Sequence, residues 1–129
     1  MKNITPLQLR FNDIDQMGHV NNAVIMEFFD LGKSNFFTEA GLPPESGDFT
    51  VMVVHVDVDF HSQIHFNDRI EVHTSTDRFG TKSLHLTQQI IKSTDGTLCA
   101  ECHTVMSGYL RSEGRSAAIP DDYRQRLSL

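Results

Sequence analysis

Long apolar runs are missing from this chain. Nowhere is there a stretch able to span a bilayer, and the opening residues, Met1-Lys2-Asn3-Ile4-Thr5-Pro6, hold no uninterrupted apolar segment of the signal-peptide kind. The expectation is a cytoplasmic protein with no membrane partner. Positive charge is also scarce: 11 Lys and Arg stand against 17 Asp and Glu, a net charge of −6. That balance excludes a general nucleic-acid binder, which needs a basic surface. It also means that an anionic ligand must find a local cluster of positive charge, because the global field repels it. Cysteine is limited to Cys99 and Cys102, inside Cys99-Ala100-Glu101-Cys102-His103, which matches the C-x-x-C-H haem-attachment pattern letter for letter. Residues three apart on a strand point to opposite faces, so this pair is expected to be two reduced thiols serving neither haem, zinc nor a disulfide. No H-E-x-x-H, phosphate loop or G-x-S-x-G elbow occurs, and there is no internal repeat or low-complexity segment.

What remains reads as one domain over residues 1–129, with 39% hydrophobic and 22% charged residues. Residues 4–11 alternate Leu7, Leu9 and Phe11 against Gln8 and Arg10 and predict a first strand. From residue 21 to 40 the period changes to that of a helix. Val24, Phe28 and Leu31 form one stripe and Ile25, Phe29 and Phe36 its neighbour, which predicts burial on several sides. Asn21 or Asn22 can cap its start; Gly41 suits its exit, and Pro43-Pro44 stops it. Four strands follow, at 51–60, 69–77, 82–92 and 97–110. Asn67-Asp68, Phe79-Gly80 and Asp95-Gly96 join them as turns, so neighbours should be antiparallel. In the first of these, Val54, Val56, Val58 and Phe60 share one face against His55, Asp57 and Asp59. A short helix is expected over residues 120–129. One long helix with an antiparallel sheet is an α+β layer architecture.

Seven histidines invite a metal, most of all His61 and His65. Their i, i+4 spacing gathers ligands only on a helix, whereas this segment leaves a strand for a turn; no metal is expected. The dense group Arg10-Phe11-Asn12-Asp13-Ile14-Asp15-Gln16-Met17-Gly18-His19-Val20-Asn21-Asn22 is different. Two carboxylates, a glycine, a histidine and two amides stand just ahead of the apolar helix. Asp and Asn are ordinary loop formers and caps, so a mere helix entry competes with a site here. A carboxylate held beside the free N–H groups of a helix start is, however, an arrangement able to polarise a carbonyl and attack it.

These same residues carry a resemblance. The Asp13-Ile14-Asp15, Gly18 and His19-Val20-Asn21-Asn22 pattern resembles that of the 4-hydroxybenzoyl-CoA thioesterase-like acyl-CoA thioesterases, in which a long apolar helix follows. The likeness extends over almost the whole chain, through residues 54–60, 67–70, 80–84 and 118–121. It implies a hotdog fold, an antiparallel five-stranded sheet wrapped around one long central helix, and hydrolysis of an acyl-CoA or acyl-carrier-protein thioester without a cofactor. It makes Asp15 the catalytic carboxylate, with Asp13 bracing the loop. The backbone N–H of Asn22 would polarise the thioester carbonyl, and His19 and Asn21 would line or order the site. Relatives frequently carry tyrosine where Ile25 and Phe28 stand, so the acyl pocket beside Ile25 should be more apolar here. Lys82 and Ser83 stand where relatives hold the nucleotide end of CoA, with Arg69 and Arg78 as further candidates. A sheet of this size over one helix leaves an edge and an apolar face uncovered. The resemblance accordingly implies a homodimer or homotetramer with sites shared across the junction.

Asp15 as nucleophile, forming an anhydride, and Asp15 as general base on water both remain open. Two other functions compete. Hotdog enoyl-CoA hydratases set Asp and His five apart around an Asn-Pro pair. Here Asp15 and His19 are four apart, Met17 stands two before His19, and no Asn-Pro occurs. A non-catalytic acyl-CoA or lipid-binding module of the same fold would keep the site for contact alone.

Overall fold

The computed structural model describes residues 1–45 and 47–128. Its sheet runs β1 (Lys2–Leu7), β3 (Ile70–Phe79), β4 (Ser83–Lys92), β5 (Leu98–Leu110), β2 (Phe49–Phe60) in spatial order, every neighbouring pair antiparallel. A two-residue strand, β6 (Arg115–Ser116), adds to β5, so the sheet has six strands rather than the five expected. The long helix α1 spans Asn22–Glu39, and a short α2 covers Asp121–Leu127. Position 129, the last of the predicted terminal helix, lies outside the described residues. Among the described residues no helix is long and apolar enough to cross a membrane.

Asn21 starts α1: its side-chain oxygen accepts the Ala23 N–H at 2.8 Å, satisfying one of the donors a helix start leaves open. The buried positions, Ile25, Phe28, Phe29, Gly32, Lys33, Phe36 and Phe37, recur every three to four residues along one face. Gly32 permits the closest approach to the sheet, because a Cβ there would lie 2.6 Å from Val72 Cγ1. The expectation of burial on several sides is not met, since Leu31 is exposed. The helix lies against one face of the sheet, chiefly over β1, β3 and β4.

The core has two parts. Val20, Ile25, Phe29, Ile64, Val72 and Ile90 form one cluster, toward the helix start. Phe36, Phe37, Leu42, Leu84, Leu86 and Leu127 form the other. Each large apolar side chain removed fully from water contributes about 1.5–3 kcal/mol. On β4, the buried Gln88 stands between Leu86 and Ile90, one residue of each cluster. Its Nε2 donates to Phe29 O at 2.9 Å and to Thr74 Oγ1 at 3.0 Å, tying helix to sheet.

Three local expectations fail for physical reasons. The first strand ends at Leu7, opposite Ile70, and Phe11 sits in a 3-10 turn (Phe11–Asp13), 84% exposed. Leu7 and Leu9 do pack against the core, but the buried positions of β1 are the polar Asn3 and Thr5. Asn35 of α1 donates to Thr5 Oγ1 at 2.8 Å, Thr5 donates to Asn3 Oδ1 at 2.8 Å, and Asn3 donates to Glu39. In β2 a bulge leaves Val54 without a Cα partner on β5 and 63% exposed, out of step with Val56, Val58 and Phe60. In β5 the register shift opposite Ile90 and Ile91 skips Cys99. It is buried in the same cluster as Cys102 rather than on the opposite face. Both thiols are free, and burial raises the pKa of each.

Candidate active site at the helix entrance

Residues 14–20 form a tight loop closed by an isolated antiparallel bridge between Ile14 and Val20. The Asp15 N–H donates to His19 O at 3.0 Å and the Gly18 N–H to Asp15 O at 3.1 Å. Gly18 has φ +83°, a turn conformation that disfavours any side chain. The loop is anchored at both ends. Asn21 N–H donates to Asp13 O at 3.1 Å, and Val20 N–H donates to Ile64 O at 2.7 Å.

The two carboxylates have different surroundings. Asp13 is buried, and it accepts the Arg10 N–H at 2.8 Å and the Arg10 guanidinium at 3.1 Å. It holds the loop. Asp15 keeps 25% of its side chain in contact with solvent; one oxygen accepts the Met17 N–H at 2.8 Å and the other lies 3.7 Å from His19 Nδ1. Asp13→Asn is expected to cost about 1.5–3 kcal/mol of stability, the worth of hydrogen bonds to a charged group. Urea denaturation checks this; an unchanged midpoint would deny Asp13 its bracing role.

His19, Asn22 and Ile25 line a cleft of about 260 Å³ together with Phe60 and residues 61–64. The backbone N–H of Asn22 stands at the first position of α1, where helical geometry supplies no acceptor. It carries the positive end of the helix dipole. Asn21 is exposed and spends its side-chain oxygen on the cap, and Asp15 borders this cleft through His19 rather than lining it. The stretch Phe60, His61, Ser62, Gln63 forms the far wall, a part the sequence did not single out as site. The contact that brings it there, Val20 to Ile64, joins positions far apart in sequence.

Lys82 and Ser83 lie elsewhere. They sit at the start of β4, while the cleft lies at the end of β2 marked by Phe60, which pairs with Ala100, itself paired with Ile90 near the far end of β4. With about 3.3 Å per residue, the run from Ser83 to Ile90 separates them by roughly 23 Å along the strand within one chain. Arg69 is at the cleft's end of the sheet and Arg78 at the other. Ser83 Oγ is 3.3 Å from His85 Nε2, and Lys82 is exposed.

Solved structures share this architecture. The PA5185 protein of Pseudomonas aeruginosa is 28% identical, with a TM-score of 0.89 over 98% of this chain and 89% of its own. Slr0204, a 1,4-dihydroxy-2-naphthoyl-CoA thioesterase from Synechocystis, is 18% identical with a TM-score of 0.89, covering 98% and 96%. A variant of 4-hydroxybenzoyl CoA thioesterase complexed with 4-hydroxybenzoyl CoA is 19% identical with a TM-score of 0.88, covering 98% and 99%. The fold is the hotdog fold, with α1 as its long helix. Residues 9–127, all but the two ends of the sequence, match the Thioesterase-like superfamily, and the chain belongs to that family.

Proposed function

We propose that this protein hydrolyses an acyl-CoA or acyl-carrier-protein thioester to free acid and thiol, with the reaction centred on Asp15. One observation carries the reading: His19 and the open helix-start N–H of Asn22 line one cleft, and the partly exposed Asp15 carboxylate stands at its border beside His19, in a thioesterase-like chain. A thioester lacks the resonance of an amide, so its carbonyl needs modest polarisation. A single backbone donor aimed at the developing oxyanion contributes about 2.7–4 kcal/mol. Asn22 N–H takes that part. Asp15 then attacks the carbonyl, expelling the thiolate and leaving an anhydride that water opens, or deprotonates a water whose attack breaks the C–S bond and expels the thiolate; His19 orders its carboxylate. Ile25 and Phe60 offer the apolar wall for the acyl group. Relatives that act on CoA thioesters, among them Slr0204, support the substrate class.

The working unit in this reading is a homodimer, alone or paired as a homotetramer. β2 is 12 residues long, forms a sheet edge and has apolar side chains exposed at Val53, Val54, Val56 and Phe60. An uncovered edge of this length invites pairing with a second copy. Two-fold antiparallel pairing of β2 with β2 sets the Thr50 end of one chain beside the Phe60 end of the other. The start of β4, with Lys82 and Ser83, thereby comes to the same end of the joined sheet as the other chain's cleft. That is where they are proposed to hold the phosphates of CoA. Lys82→Ala is expected to raise KM for acyl-CoA and leave hydrolysis of a short non-CoA thioester unchanged. Equal KM values for variant and parent would remove this assignment.

A non-catalytic binding module draws on one observation, that Asp15 borders the cleft through His19 instead of lining it. A panel of acyl-CoAs assayed for free thiol separates the readings. A hydrolase releases thiol, a hydratase consumes enoyl-CoA without release, and a binder does neither.

A further inference from the structure

A second cavity lies on the other half of α1. It has a volume of about 170 Å³ and is walled by Phe37, Leu42, Val51, Met106 and Tyr123. Lys33, set into it from the buried face of α1, is 8% exposed. Among the described residues its ammonium has one acceptor, Asp30 Oδ1 at 3.1 Å, and the Asp30 side chain is itself 75% exposed. An ammonium has three N–H donors and no use for apolar walls. Burying one costs several kcal/mol unless it is paired and hydrogen-bonded. A partner that lies mostly in water is free to swing away, and two donors are left for another acceptor in the cavity. In an acidic chain this is a buried ammonium among mainly apolar walls, with Ser34 and Thr50 also lining the cavity.

The cavity's place in the sheet gives it a role. It touches Thr50 and Val51 at the start of β2, whereas the cleft of the candidate site touches Phe60 at the end of that strand. Antiparallel pairing of two β2 edges brings the cavity of one chain next to the cleft of the other. A thioester whose carbonyl sits at Asp15 and Asn22 of one chain then sends its acyl tail toward Lys33 of the other. We infer that Lys33 selects the far end of the acyl group, and that the preferred substrates are acyl thioesters whose tail ends in a carboxylate. The inference deepens the proposed hydrolase and rests on that reading and on the β2 dimer. An apolar tail would leave the ammonium with its single exposed partner, while a terminal carboxylate completes the pair within the cavity. Asp30 moves to solvent as the tail enters.

Adipoyl-CoA and hexanoyl-CoA, equal in chain length, form the test pair. The parent is expected to show the higher kcat/KM for adipoyl-CoA. Lys33→Met keeps the length of the side chain and removes its charge. It should lower the ratio of adipoyl to hexanoyl kcat/KM at least tenfold, while Lys33→Arg retains the preference. Asp30→Asn, which removes the competing carboxylate, should raise the ratio. Ratios unchanged in folded Lys33→Met and Asp30→Asn would make the pair a structural ion pair and overturn the assignment. If the parent releases thiol from no acyl-CoA of the panel, the hydrolase reading falls by itself. The same two compounds are then compared by calorimetric Kd, and equal affinities in parent and Lys33→Met overturn the role of Lys33.

Discussion

Asp15→Asn is expected to lower kcat by about a hundredfold or more, the contribution of a positioned base or nucleophile. The substitution keeps the size of the side chain and its ability to accept the Met17 N–H, so the loop should keep its shape. What disappears is the negative charge, and with it both the attack on the carbonyl and the removal of a proton from water. Because that charge is used mainly in the transition state, substrate affinity should change little. Asp13→Asn should show the opposite profile, a loss of stability with a smaller loss of kcat, since its carboxylate is occupied by Arg10. Steady-state kinetics on both variants, with circular dichroism as the check on folding, decides the order. A reversed ranking would move the chemistry to Asp13. Parental turnover in a folded Asp15→Asn would remove the carboxylate mechanism altogether.

The second large effect concerns β2. Val56 shares a face with Val58 and Phe60, on the side where β5 presents Thr104 and Cys102, and it is exposed in the single chain. Two-fold pairing of β2 edges buries it near the symmetry axis. Val56→Asp would place a carboxylate from each chain in that contact, with neither paired. Such burial costs several kcal/mol, so the dimer dissociation constant should rise at least about a hundredfold. Activity should fall with it, because in the proposed dimer each site borrows the far half of the other chain. Sedimentation at micromolar concentration with a parallel assay checks this. An active monomer, in the variant or the parent, would overturn the shared site.

The sequence made the fold legible where one periodicity held without interruption. The alternation in β3, β4 and β5, the turn at Asp95-Gly96 and the three-to-four spacing in α1 were enough to define most of the sheet and the helix. β1 was misplaced because its buried positions are polar, satisfied by Asn35 and Glu39 on a distant helix, a pairing no local pattern reveals. Val54 and Cys99 were misassigned because single-residue bulges break the count on which alternation depends. The candidate site showed itself through the density of Asp13, Asp15, Gly18 and His19 in one segment. Its opposite wall was hidden, since the contact of Val20 with Ile64 crosses more than a strand and a helix. Lys33 was also hidden: a lysine among apolar helix positions reads as a solvated residue until packing shows it buried.

The most direct test of thioester hydrolysis follows both products of acyl-CoA turnover by the purified parent protein. Free CoA and free carboxylic acid should appear in equal amounts, enzyme-dependent and lost in Asp15→Asn. A folded protein that binds acyl-CoA but yields neither product across the panel would contradict the account.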